Sequence, residues 1–562
     1  NKQQKSIGYA LSLLATAWLC GVGVPIGHAQ GPYADDAAKS RTPTWMTHRA
    51  SFRVLSNALN GGDLGPGESS IPGPLATEDG ATDQDTMSWS NVRLRYDGVI
   101  HLGASLGIHL GLDALDNLVM GSSPESGLAW QDGLWLDGQA PPSSSGDSFR
   151  DSLRVRQLFG TWRVMNWLDV SGGRMNDHFG LGTQRNWGAC EDCGRATLVD
   201  GVRMAGTLMK MNLEFGLETA VTGATDENPA EAMGQPLDLS EQDDVSTVVF
   251  RVGQGSDHRR AIYGAAPVVP VGGFELDWQF FTSSTEQIVS SSEPSEAALG
   301  SACETERVTA GGVTSQPLDC WELVPRGATL WRPGMWTRAR WRPDHETSVR
   351  VEAEASGLFG DLAAVQRLDG SQSDAKSLAG FGVALETEVV TATWGFGVDA
   401  GFATGDNGRY LGYLDGQNLA ETGEDLEADQ RTLDDGELTS FWFNRDYHVD
   451  LILFQRVLGG VTNAVYAKPW VSGVLLDTET AKLGARLDVL YAAAARPSGT
   501  PGLGKHYGVE IDGRVTLELP QGFEFELAGG LLLPMDALQG RATGEAAESA
   551  TLVRGLLSWR FQ

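Results

Sequence analysis

Through much of this chain, apolar and polar side chains trade places at every residue. Over residues 92–112 the even positions carry Val92, Leu94, Tyr96, Ile100, Leu102, Leu106, Ile108, Leu110 and Leu112. Arg93, Arg95, Asp97, His101 and His109 take odd ones. A β-strand sends successive side chains to opposite faces, so a period of two predicts strand. The stretch exceeds the roughly 9–11 residues of one membrane-crossing strand, and residues 103–105 predict the tight turn that folds it into a hairpin. The same reading pairs 153–164 with 167–175, 202–209 with 213–221, and 336–341 with 349–355. It also pairs 381–389 with 392–402, Trp394 and Phe396 facing outward. Residues 507–519 alternate throughout: Tyr507, Val509, Ile511, Val515 and Leu517 oppose His506, Glu510, Asp512, Arg514 and Glu518, and Gln521-Gly522 turns the chain into 523–533. Further strands are expected at 46–58, 245–252, 274–280 and 475–491. In the final stretch, 551–562, Val553, Leu557, Trp559 and Phe561 oppose Arg554, Ser558 and Arg560.

Gly-, Ser- and acid-rich stretches without period separate these segments: 61–86, 116–147, 176–195, 223–244, 283–332 and 405–437. Short turns alternating with long loops are the signature of a membrane barrel. A soluble sandwich would need the same half-buried strands, but its sheets rarely exceed about ten. No run of about 18 apolar residues follows position 29, and lipid leaves unpaired backbone groups without partners, so a spanning chain of this kind must close on itself. The expected fold is all-β: a transmembrane antiparallel up-and-down β-barrel over residues 45–562, of about 16–18 strands with long extracellular loops. One stretch departs from the pattern. Val449, Leu451, Ile452, Leu453, Phe454, Val457 and Leu458 crowd together, which predicts a short helix folded from a loop against the wall or into its mouth. A strand buried on both faces is the alternative.

Composition and targeting fit this picture. The 562 residues are 41% hydrophobic and 20% charged, with 71 Gly and 17 Trp. Glycine suits tight turns, and tryptophan suits the girdles at membrane interfaces. Residues 1–29 read as a secretory signal: Lys2 and Lys5 precede an apolar core, and Gly27-His28-Ala29 supplies small residues before cleavage. Leu19 is too large for lipoprotein processing at Cys20. Residues 30–44 read as a periplasmic leader. The formal charge of -31 falls by two, to -33, once Lys2 and Lys5 leave with the signal. So acidic a chain is excluded as a nucleic-acid binder.

Several stretches, taken in order, resemble one family. They are Asp116-Asn117-Leu118-Val119-Met120-Gly121-Ser122, Gly173-Arg174-Met175 leading to Phe179-Gly180-Leu181-Gly182, Val351-Glu352-Ala353-Glu354-Ala355, and Ala403-Thr404-Gly405-Asp406. Asp446-Tyr447-His448-Val449-Asp450-Leu451-Ile452-Leu453-Phe454, Gly460-Val461-Thr462-Asn463-Ala464, Gly508-Val509-Glu510-Ile511-Asp512 and Leu533-Pro534 continue the series. Across most of 90–562 the chain resembles an uncharacterised family of myxobacterial and related deltaproteobacterial outer-membrane barrels. The aromatic near the chain's end, Phe561 before Gln562, resembles the closing-strand signal read by the barrel-assembly machinery. The resemblance implies a porin-like barrel and carries no catalytic residue. Outer-membrane lipid and lipopolysaccharide are the implied surroundings, and small polar solutes or ions the implied cargo.

On this register the pore-lining candidates are Arg93, Arg95, Arg350, Glu352, Glu354, Glu510, Asp512, Arg514, Arg554 and Arg560. Opposed charges in a wet pore create a transverse field and tune ion preference. Cys190, Cys193, Cys303 and Cys320 follow the signal; in an oxidising compartment they predict two disulfides, Cys190–Cys193 and Cys303–Cys320 among three possible pairings. A four-thiolate metal site is the sharper alternative, but zinc sites of that kind usually pair two tight CxxC units and only one is present. Gly103-Ala104-Ser105-Leu106-Gly107 matches GxSxG, which needs a following helix where this sequence predicts strand. His101, His109 and His506 read as solvated lumen histidines, and the acids of 406–437 lack EF-hand spacing for Ca²⁺. The expectation is therefore a passive channel, without catalytic residue, metal or cofactor. A plugged barrel with adhesive or surface-structural loops is the alternative, and an outer-membrane hydrolase a distant third.

Overall fold

The structure, a computed structural model, describes residues 45–62, 64, 86–103, 105–121, 153–194, 196–220, 245–255, 269–292, 308–310, 313–315, 322–363, 375–406, 437–500, 502–539 and 546–561. The expected signal and leader, Cys303, Cys320 and most of the acidic loops 223–244 and 405–437 lie outside the described residues.

Among the described residues one sheet holds 19 strands. One of them, Glu437–Leu438, is a two-residue parallel pairing; setting it aside leaves eighteen, numbered here in chain order. The first nine are β1 (Met46–Asn60), β2 (Thr86–Leu102), β3 (Leu106–Gly121), β4 (Leu153–Met165), β5 (Leu168–Asn176), β6 (Leu198–Leu208), β7 (Met211–Ala220), β8 (Ser246–Gln254) and β9 (Phe274–Ser292). The rest are β10 (Glu322–Trp341), β11 (Ser348–Leu362), β12 (Lys376–Val390), β13 (Trp394–Ala403), β14 (Ala464–Asp477), β15 (Lys482–Ala494), β16 (His506–Glu518), β17 (Phe523–Pro534) and β18 (Ala550–Phe561). Each pairs antiparallel with its neighbours in sequence. β18 returns to β1, with Ala50 opposite Phe561 and Asn60 opposite Thr551. The sheet therefore closes, and no edge is left with unpaired backbone groups.

The two faces sort as the period of two requires. Leu94, Leu217, Val248, Phe396, Leu487 and Leu557 are all more than a third exposed on the outer face. In a water-soluble protein such a belt would be a severe liability; against acyl chains it is the surface a spanning barrel needs. Trp162, Trp167, Phe274, Trp341, Trp394 and Phe561 are also exposed, and all lie at the strand ends nearest the short turns. They form an aromatic girdle at that rim. The inner face carries buried polar groups such as Arg53, Arg93, Asp113, Arg251, Glu354 and Arg554.

Register departs from the sequence reading in four places. Residues 475–491 are not one strand: the chain turns at 478–481, with the Thr478 hydroxyl donating to the Ala481 carbonyl, and separates β14 from β15. Residues 283–332 are not one long loop, because β9 and β10 run on and pair as far as Ser292 and Glu322. Residues 116–121 are strand rather than loop. Finally, the alternation of 506–519 breaks at its start. A register shift opposite Ala492–Ala493 coincides with Gly508 at φ 149°, a left-handed conformation that glycine tolerates. Tyr507 consequently turns inward, fully buried, its hydroxyl donating to the Asn463 carbonyl, while His506 pairs with the outward Tyr491.

The largest apolar cluster sits inside one end of the barrel. Phe443, Ile452, Leu453 and Phe454, from the connection between β13 and β14, pack there against wall residues chosen for small size: Ala384, Ala403, Ala464, Ala492, Ala528 and Ala550. Residues 453–457 form a single π-helical turn, a short helix inside the mouth of the barrel.

Candidate functional site

Two segments turn into the lumen and meet there. The first, residues 177–197, joins β5 to β6. Its first residue, Asp177, is buried under Arg185, Arg203 and Arg251, at 3.1 Å from Arg203 and 2.5 Å from Arg251. Burial opposes its ionisation, but Arg251, Arg203 and Arg185 hold the carboxyl well below the usual carboxylate range. Phe179 packs on Phe281 and Trp336. From β11, Glu354 accepts the Gly182 and Thr183 amides at 3.0 and 3.3 Å and the Thr183 hydroxyl at 2.6 Å. On the far side, Arg53 and Arg93 donate to the Cys193 carbonyl at 3.0 and 2.7 Å, and Arg95 to the Gly188 carbonyl at 2.7 Å. Arg554 binds Asp192 at 2.8 Å and Arg560 binds Glu191 at 2.7 Å. The segment is thus strapped to opposite walls. Cys190 and Cys193 are disulfide-bonded, with Cα atoms 5.0 Å apart.

The second segment, residues 439–463, carries the alternation-breaking stretch. From β16, Glu510 accepts three consecutive amides, Leu451, Ile452 and Leu453, at 3.0, 2.8 and 2.8 Å. Asp450 caps the π-helical turn by accepting the Phe454 and Gln455 amides at 2.8 and 3.1 Å. Burial pushes its pKa up to about 7, against those amides and with Asp512 adding to the rise. Lys468 donates to the Val449 carbonyl at 2.8 Å. The segments touch through the Asn444 amide on the Thr183 carbonyl at 2.7 Å, Gly194 on Asp446 at 3.3 Å, and His448 against Asp192 at 3.1 Å. Burial opposes protonation of His448, yet the Asp192 charge raises its pKa above the ordinary value; Asp192 itself, despite burial, is held well below its own by His448 and Arg554.

Eight of the ten inward candidates fall into two groups. Arg93, Arg95, Glu354, Glu510 and Arg554 are buried and hold the inward segments, Arg95 also binding Asp113 at 2.8 Å. Arg350, Arg514 and Arg560, nearer the short-turn rim, keep 31%, 38% and 47% of their side-chain surface exposed. Arg350 faces Glu352, Glu386 and Glu388 at 2.7, 3.2 and 3.6 Å, and Arg514 lies 3.6 Å from Glu526. Glu352 also accepts the Trp336 indole N–H at 2.8 Å, and Asp512 is buried beside Glu510. Sequence reading passed over Arg53, Arg203 and Arg251, all inward by the same parity. It also passed over Asp192 and His448, whose roles arise only where the two segments meet.

The other chemical candidates separate. Ser105 occupies the tight turn between β2 and β3, flanked by strand on both sides, so the GxSxG match lacks the helix its chemistry requires. His109 stacks on Phe159, ring centroids 4.2 Å apart.

No protein-family model matches the sequence, and no curated protein matches it. Among solved structures, the chain is similar to Pseudomonas aeruginosa OccK9 (OpdG), with 10% identity over 92% of this chain and 98% of that one and a TM-score of 0.48. Acinetobacter baumannii OccAB1 gives 10% identity over 95% and 98%, also at 0.48. A BenF-like porin from Pseudomonas fluorescens Pf-5 gives 6% over 92% and 98%, at 0.46.

Proposed function

We propose that this protein is a porin-like channel of the bacterial outer membrane through which ions or small polar solutes diffuse passively, without covalent chemistry. The observation that carries this reading is the group of partly exposed charges inside the closed wall: Arg350, Glu386, Glu388, Arg486 and Arg514. Ionisable side chains that keep such exposure beneath an apolar outer belt face water, and water inside a closed barrel is a conduit. The inward segments narrow that conduit and set its charge, with arginines of β18, β1 and β2 across from carboxylates of β11 and β12. Lipopolysaccharide on the outer leaflet and the barrel-assembly machinery are the partners such a barrel meets. The stretches quoted above support placing the chain among the myxobacterial and deltaproteobacterial barrels.

A second reading, a plugged barrel whose loops serve the cell surface, draws on the apolar cluster around Phe443 and Phe454 that fills one end of the lumen. Liposome swelling separates the two. Vesicles carrying the purified chain swell in small sugars if the conduit is open along its length, and keep their volume if the cluster seals it.

A further inference from the structure

The junction between the two inward segments gathers four side chains with metal-binding chemistry. One ligand atom each from Cys190, Asp192, Cys193 and His448 all lie within 4.8 Å of one another. We propose that, with Cys190 and Cys193 in the dithiol form, these four residues bind one thiophilic divalent cation of the Zn²⁺ class. Bound there, the ion ties segment 177–197 to segment 439–463.

The donor set fits that ion. Two thiolates, an imidazole and a carboxylate complete a tetrahedral shell, and soft sulfur donors with nitrogen select zinc-like metals over calcium or magnesium. Cys190 and Cys193 supply the tight CxxC chelate; His448 comes from a residue 255 positions further on in the chain than Cys193. His448 Nδ1 lies 3.1 Å from Asp192 Oδ2, so the imidazole and the carboxylate already face one another. The surroundings are those of an oriented ligand shell. His448 Nε2 faces Asp446 Oδ1 at 3.9 Å, and that carboxylate is fixed by the Gly194 amide at 3.3 Å. A carboxylate behind a ligating histidine sets its ring orientation and basicity. Two thiolates and Asp192 around a divalent ion leave one net negative charge. Arg554 on Asp192 and Arg93 on the Cys193 carbonyl are placed to offset it.

The chemistry balances in two steps. The disulfide takes two electrons and two protons from an external dithiol, which becomes a disulfide itself, leaving two thiols on the protein. The cation then displaces both thiol protons to solvent and forms two metal–sulfur bonds. The disulfide and the metal site are thus alternative states of one pair of cysteines.

The test titrates Co²⁺ into the detergent-solubilised full chain after dithiol reduction and removal of the reductant, with Zn²⁺ competition afterwards. The expected result is one equivalent bound, with tetrahedral ligand-field bands and a thiolate-to-metal charge-transfer band, both erased by Zn²⁺. The oxidised wild-type chain gives neither band and needs no substitution as a control. His448→Ala, checked for intact folding by heat-modifiable gel migration, loses more affinity than Asp446→Asn, which alters only the carboxylate behind the ligating ring and is expected to cost roughly 10- to 100-fold. Reduced wild-type protein without tetrahedral bands overturns the proposal. So does a His448→Ala variant that binds Co²⁺ with unchanged affinity and spectrum.

Discussion

The carboxylate of Glu510, on the barrel wall, accepts the backbone amide of Ile452 at 2.8 Å, deep inside the lumen and 58 residues away in sequence. Leu451 and Leu453 donate to the same carboxylate, so one wall side chain organises the end of an entire inward segment. Glu510→Ala leaves three buried amides unpaired, at about 1–3 kcal/mol each. The expected outcome is fast hydrogen exchange over 449–458 with the barrel strands still protected. Glu510→Gln, which keeps acceptor capacity, shows a smaller effect.

Glu354 plays the matching part for the first segment, collecting two amides and the Thr183 and Ser356 hydroxyls. Glu354→Ala is expected to release residues 180–186 to limited proteolysis while the heat-modifiable barrel band persists. Equal resistance in the variant and the wild type contradicts the role given to Glu354.

Gly382 tests how closely the apolar mouth is packed. A Cβ built there runs into the Phe443 ring and comes within 2.7 Å of the Phe441 ring. Gly382→Ala is expected to cost about 1–3 kcal/mol in urea unfolding from lipid vesicles, the range for overpacking. On the outer face, Leu217→Arg near the middle of β7 is expected to cost about 2–4 kcal/mol, whereas a polar residue at the neighbouring inward Glu218 is tolerated by the membrane.

The pH response of the first segment follows from Asp177. Its folded pKa lies well below the 3.8 of a free aspartate, through Arg251, Arg203 and Arg185 acting against burial. A depressed carboxylate contributes stability that is complete above the unfolded value and lost only as pH falls through the folded one. Hydrogen-exchange protection of residues 178 and 179, beside Asp177, is therefore expected to hold from neutral pH down to roughly pH 4. Asp177→Asn should lose much of it at neutral pH.

Much of the barrel was legible because membrane and lumen impose opposite chemistry on adjacent residues. The hairpin at 103–105 and the outward Trp394 and Phe396 follow from that rule alone. The failures have local causes. The turn at 478–481 contains no Gly or Pro; Thr478 makes it with its own hydroxyl. The far half of β9 is Ser- and Thr-rich and resembles loop by composition. One bulge at Gly508 moved Tyr507 to the other face. The inward segments were visible only as a loop with CxxC and a stretch that broke alternation. Their partners, Arg53 and Glu354 for one and Glu510 for the other, lie tens to hundreds of residues away, and no local pattern encodes such pairings.

The charges inside the wall give the channel reading its sharpest consequence. Arg350 is the cation among Glu352, Glu386 and Glu388, so Arg350→Gln is expected to shift the reversal potential toward cation preference. The most direct measurement is single-channel current from the purified chain in a planar bilayer under a salt gradient. The prediction is discrete, repeatable conductance steps and a reversal potential that moves in the cation direction with Arg350→Gln. A bilayer that takes up the folded barrel yet stays silent at every voltage would contradict it.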